Sequence, residues 1–373
     1  MGATLIALTV GYATESSAYG IVRTGHVQAV RSGKPTEIDR TTLQRAIEAT
    51  PLRQSLVNIA MSAGRPPGSI PDRRWIAVLR RMGWRDTPSL QNILLALSRG
   101  TDERAMMDTL DALLRRGQLF TQTAGVMNAM EGIAGARPEV IRLLARHPSW
   151  RHDYLVTAGE IRSEPLALGR FQVLNQLQRR GDHMTRDEVA PLLPVLIRYG
   201  RPVEAWKLWY GFAGPIASPL QDGDFRLAAN RANVDQISVP FEWDFPIGSG
   251  FSVDLYLEGG RPNLAITWDG RGVPVFATQT TSANRGRYSL SVATSDAPAM
   301  VADLLVFRLR CGDQSVDFSW DGRRRPGELR FGAINVPCDF PVLEMAGKLQ
   351  GTSSAHSFSL RRITLSHLSG TPQ

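Results

Sequence analysis

Apolar residues recur at three- and four-residue spacing from Thr41 to about Ala213, then at every second position from about Val239 onward. The first spacing is that of helices burying one face, the second that of half-buried strands. Helices are predicted near Thr41–Ala49, Leu52–Ala63, Asp72–Met82, Pro88–Arg99, Asp102–Arg115, Thr121–Gly132, Pro138–Arg146, Arg151–Glu160, Pro165–Arg180, Arg186–Tyr199 and Pro202–Phe212. Their starts carry cap or first-turn chemistry, as at Asp39, Thr87-Pro88, Asp102-Glu103, Pro138-Glu139 and Thr185. Several end on a glycine, among them Gly64, Gly83, Gly117, Gly181 and Gly200, which takes the left-handed position after a helix without penalty. Many short helices in series predict a helical-repeat array. Val78–Gly83, Ala112–Gly117 and Leu177–Gly181 close alike, but their spacing drifts from the tetratricopeptide period of about 34 residues, so such repeats are degenerate.

Strands are predicted near Phe241–Phe245, Phe251–Leu257, Asn263–Trp268, Val275–Thr281, Gly286–Thr294, Ala302–Arg310, Asp317–Ser319, Leu329–Val336, Val342–Lys348 and Ser357–His367. Short strands at even spacing with polar turns predict a two-sheet antiparallel sandwich of jelly-roll type. The predicted class is therefore α+β and multidomain. A tetratricopeptide-like helical array spans 40–213, a linker 214–238, and a β-sandwich 239–373. Ahead of them, residues 1–22 contain an uncharged apolar run over Gly2–Ala13. That run is shorter than the ~20 residues a membrane helix takes. It reads as an export or anchor signal without its positively charged start, or as a trimmed anchor, with a buried helix as the alternative.

A hydrophobic share of 43% and a charged share of 21% are those of a folded protein, which excludes wholesale disorder. The net charge of +8 falls entirely before Val239, where 30 Lys and Arg face 22 Asp and Glu; from Val239 on the balance is 13 to 13. Lys34, Lys207 and Lys348 are the only lysines, so the cations are arginines, but no basic run is interleaved with stacking aromatics. Nucleic acid is therefore not an expected partner. The densest cluster, Arg323-Arg324-Arg325, reads as a hairpin loop. The two cysteines, Cys311 and Cys338, end apolar runs in the β half. They are expected to form a disulfide between adjacent strands in an oxidising compartment, the alternative being two buried thiols.

No G-x-S-x-G, H-E-x-x-H, P-loop or dinucleotide fingerprint is present, and no metal site or cofactor is expected. Trp243-Asp244, Trp268-Asp269-Gly270 and Trp320-Asp321-Gly322 read first as strand ends and turns. Read as a sugar site, Trp268 or Trp320 would offer an apolar face to a pyranose while Asn263, Asp269 or Arg287 bonds its hydroxyls. Asp254 and Glu258 are the nearest candidates for a glycosidase carboxylate pair.

With those elements in place, the chain resembles exported envelope proteins of alphaproteobacteria that join an N-terminal membrane segment, tetratricopeptide-like helices and a carbohydrate-binding-like sandwich. Gln221-Asp222-Gly223-Asp224-Phe225 resembles a step in that family, and Val239-Pro240-Phe241-Glu242-Trp243 is similar to its opening strand. Leu304–Cys311 with Cys338 is similar to its closing strands, and Arg285-Gly286-Arg287-Tyr288 stands at a strand opening. The resemblance implies a non-catalytic periplasmic protein supporting polysaccharide synthesis or export, with inner-membrane attachment through its N-terminus. The helical array would hold a protein partner and the sandwich a glycan. The alternative is a carbohydrate-active enzyme, hydrolase or lyase, with the helices as accessory.

Overall fold

The computed structural model describes residues 40–49, 102–117, 120–214, 218–231, 239–322, 326–349 and 354–368, with single helical positions at Val78, Leu90, Ile93, Leu94 and Leu97. The predicted leader over 1–22, the helix Leu52–Ala63, most of Asp72–Met82 and Pro88–Arg99, and the loop Arg323–Arg325 lie outside the described residues. Helices occupy the N-terminal part and antiparallel sheets the C-terminal part, so the class is α+β. The chain divides into two compact units, Met1–Tyr154 and Leu155–Gln373.

In the first unit lie α1 (Arg40–Ala49), α2 (Glu103–Arg115), α3 (Phe120–Gly132), α4 (Arg137–Leu144) and the start of α5 (Arg151–Val156). The Asp102 side chain caps α2 by accepting the Ala105 N–H at 2.9 Å, as its residue type predicts. Met107, Leu110 and Leu113 then bury one stripe of that helix. The buried Glu131 carboxylate accepts the Tyr154 hydroxyl at 2.7 Å, so a polar pair is satisfied inside the apolar packing.

The second unit opens with a 3₁₀ turn, Thr157–Glu160, then α6 (Glu164–Arg179), α7 (Arg186–Val189), α8 (Leu192–Arg198) and α9 (Pro202–Ala213). The single helix predicted over Arg186–Tyr199 is broken between α7 and α8, where Pro191 brings no N–H to the helical ladder. Thr185 and Glu188 form a reciprocal capping box on α7.

Two segments tie these helices to the sheets within this unit. Trp209 of α9 donates its indole N–H to Gln221, whose carbonyl accepts the Gln279 amide at 2.9 Å. Trp206 packs edge-on against Phe241 with centroids 5.1 Å apart, and Arg186 pairs with Glu242 at 2.7 Å. Trp243 donates to the Asp222 carbonyl at 2.9 Å. These ties account for a difference from the sequence reading. Phe241–Phe245 is not a strand but an irregular segment with one bridge, Asp244 to Thr278. Residues 218–231, expected as linker, are likewise bonded down and contain the short helix α10 (Arg226–Arg231).

Nine strands follow among the described residues: β1 (Phe251–Glu258), β2 (Arg261–Trp268), β3 (Val275–Thr280), β4 (Gly286–Thr294), β5 (Leu305–Cys311), β6 (Gln314–Asp317), β7 (Glu328–Val336), β8 (Val342–Gly347) and β9 (His356–His367). They form two antiparallel sheets, ordered β1-β2-β9-β4-β7 and β3-β8-β5-β6. Leu264, Ile266, Leu290, Val292, Phe358 and Leu360 of the first sheet share one core with Phe276, Phe307, Leu309, Leu343 and Met345 of the second. Residues Pro298–Leu304, the last three of them expected as strand, form helix α11 instead, with Pro298 in its first turn. The Cys311–Cys338 disulfide is present, with Cα atoms 5.8 Å apart. It joins the end of β5 to the β7–β8 loop rather than to an adjacent strand. Among the described residues no helix is long and apolar enough to cross a membrane.

Candidate functional site

The outer side of the five-stranded sheet carries a cleft of about 610 Å³ lined by Asp224, Arg226, Glu258, Gly259, Arg261, Pro262, Asn263, Ala293, Arg361 and Arg362. That volume lies within the roughly 300–1,000 Å³ of small-ligand sites. Three local features of the chain create it.

The first is the β1–β2 hairpin. Gly259 and Gly260 have φ of +57° and +77°, the left-handed pair that a two-residue primed turn requires. The turn sets Glu258 directly opposite Arg261 at the hairpin tip. Pro262 follows, where β2 has no bonded neighbour on its other side, because pairing with β9 begins only at Leu264 opposite Leu360.

The second is a bulge in β9. Ala293 pairs with Arg362 but Thr294 pairs with Leu360, so Arg361 is an extra residue. Leu360 and Ile363 both stay in the core, at 0% and 1% exposure, which leaves two consecutive arginines outside. A bulge re-aims side chains in this way.

The third is the approach of 222–226 to β9. The Gly223 carbonyl accepts the Ile363 N–H at 2.8 Å, and a Cβ on Gly223 would lie 2.2 Å from the Ile363 oxygen. Only a glycine fits there. Asp222, at φ +54°, holds the start of α10 by accepting from the N–H groups of Leu227 and Ala228, each at 2.8 Å. Asp224 and Arg226 are thereby brought to the cleft edge.

Within the cleft, Arg226 pairs with Asp224 at 3.0 Å and Arg361 with Glu258 at 3.3 Å, both pairs well exposed. Such pairs are weak in water and exchange readily for a ligand. Arg261 and Arg362 make no ion pair among the described residues, so the lining carries two uncommitted guanidinium groups. Asn263 is 1% exposed and donates its amide N–H to Glu258 at 2.7 Å, while its Oδ1 has no partner among the described residues. A buried acceptor left without a donor is uncommon and costs on the order of 1–3 kcal/mol.

Of the five residues singled out for sugar binding, only Asn263 lines this cleft. Trp268 is 1% exposed, packs edge-on against Phe276 and donates its indole N–H to the Arg271 carbonyl. It therefore has no face to offer a pyranose, and it lies about 17 Å along β2 from Asn263. Asp269 closes the following turn by accepting the Arg271 N–H at 2.9 Å. Trp320 is partly buried against the core and bridges Phe331 on the far edge strand β7. Arg287 is exposed on β4, six residues and roughly 20 Å from Ala293 of the cleft. The structure does not bring these four together with Asn263.

Asp254 and Glu258 share the outer side of β1 but sit four residues apart. A separation of about 13 Å along a strand exceeds the spacing that glycosidase carboxylates take. No group of three or more His, Cys, Asp or Glu placed to hold a metal occurs among the described residues. No protein-family model matches the chain, and no curated protein matches it.

Proposed function

We propose that the protein is a non-catalytic binding or scaffold protein of the periplasm that supports polysaccharide synthesis or export. In this reading a tetratricopeptide-like array of helices holds a protein partner, a jelly-roll-like sandwich contacts glycan, and the N-terminal segment directs export or attachment to the inner membrane. The strand order supports the jelly-roll element: β2-β9-β4-β7 opposes β3-β8-β5-β6, with most successive strands changing sheet. Lectin domains share that architecture. The disulfide is of the kind that persists in oxidising compartments, which supports export.

The observation that carries the reading is the cleft beside β9, where charged forks, carboxylate acceptors and a buried amide converge on a space of sugar size. The whole chain, applied to an array of neutral and acidic envelope polysaccharides, is expected to be retained by at least one of them. Retention by none would remove the glycan from the reading and leave only a protein scaffold.

A further inference from the structure

Resting on the glycan reading, we propose that the cleft selects a uronate. The sugar carboxylate would lie between Arg261 and Arg362, and a neighbouring hydroxyl would donate to Asn263. Each uncommitted group in the cleft constrains the ligand separately. Arg261 and Arg362 offer planar donor forks with no acceptor among the described residues, which match a carboxylate or another oxyanion. Asn263 Oδ1 sets the opposite requirement, since it needs a donor. Glu258 and Asp224 are further acceptors on the same lining.

A bare sulfate brings acceptors only. It would answer the arginines but leave Asn263 without a donor. A neutral sugar brings hydroxyls for Asn263, Glu258 and Asp224, and its hydroxyl oxygens can accept from the two guanidinium forks, but it brings no negative charge to balance them. A hydroxylated carboxylate answers both sets at once, and a uronic acid carries its carboxylate and its hydroxyls on one ring. The bulge in β9 has a clear role in this arrangement: it puts Arg362 on the outer side of the sheet, where regular alternation would give the cleft one arginine from that stretch instead of two.

The test titrates the whole chain with oligosaccharides of galacturonate, glucuronate and mannuronate, each as free acid and as methyl ester, by calorimetry. At least one free acid is expected to bind tenfold or more tightly than its ester, with affinity falling as salt is raised. Arg261→Ala and Arg362→Ala are expected to weaken that binding by tenfold or more each. Both side chains are exposed, so the fold tolerates these changes, and Arg287→Ala, at the far end of β4, is expected to leave binding unchanged. Equal binding of acid and ester, binding that survives the double variant, or equal competition by inorganic sulfate would each overturn the uronate assignment. Binding confined to neutral glycans would overturn it and leave the broader glycan reading standing. Binding of no glycan would overturn both.

Discussion

Gly223 shows how closely one residue can control the candidate site. Its carbonyl holds Ile363 of β9, and the missing side chain is what lets the two backbones meet. Gly223→Ala is expected to destabilise the protein by about 2–3 kcal/mol, because overpacking against a backbone oxygen cannot be relieved by a rotamer change. Gly259→Ala serves as the comparison. Nothing lies within 4 Å of its added Cβ, so only the left-handed φ of +57° opposes it, at about 1–2 kcal/mol. Thermal melts of the two variants rank them, and a Gly223→Ala melt equal to that of Gly259→Ala would show that the close approach does not hold. Residue type alone marked Asn263, whose amide suits a polar site, yet it also marked Trp268, which the core claims. Both are buried, and the sequence could not separate them because the neighbours that surround a side chain are not a property of residue type.

At the scale of elements, the β9 stretch Phe358-Ser-Leu360-Arg361-Arg362-Ile363-Thr-Leu365 carried a readable signal. Its apolar positions step by two, then by three, then by two, the signature of an inserted residue in a half-buried strand. A reading by strict alternation passes over that step and so misses both arginines. Phe241–Phe245 went the other way: alternation predicted a strand, and tertiary ties overrode it. One of those ties can be tested directly. Arg186 of α7 and Glu242 are 15% and 5% exposed, so the pair is largely removed from water. Arg186→Ala is expected to cost about 3 kcal/mol in urea unfolding, as loss of one partner of a buried pair does. A cost below about 1 kcal/mol would place the pair with surface ion pairs.

Taken whole, the chain changes its pattern of apolar spacing and its packing at different places. Apolar spacing shifts near Val239, whereas the chain divides into its compact units between Tyr154 and Leu155, so α6, α8 and α9 belong with the sheets. Helices anchored by Gln221, Phe241 and Glu242 support the segment that delivers Asp222 to Arg226 to the cleft. The disulfide closes a stretch of 27 residues, which in the loop-entropy account contributes about 3–4 kcal/mol. Reduction is expected to lower stability by about that amount in urea unfolding with and without thiol, with a single transition for Leu155–Gln373 if it unfolds as one unit. Two separate transitions within that stretch would show its helices and sheets to be independent.

What the sequence determined by itself was local: helical and pleated periods, caps, glycine turns, and a cysteine pair with no other possible partner in the chain. Each depends on neighbours within a few residues or on a count. What only the tertiary structure decided was which polar side chains meet. Asp224 and Arg226, the Glu258–Asn263 hairpin and the arginines of β9 are distant in sequence and converge because a bulge, a strand end and a glycine contact coincide. Such a coincidence is fixed by the packing of the whole unit, and no local pattern encodes it.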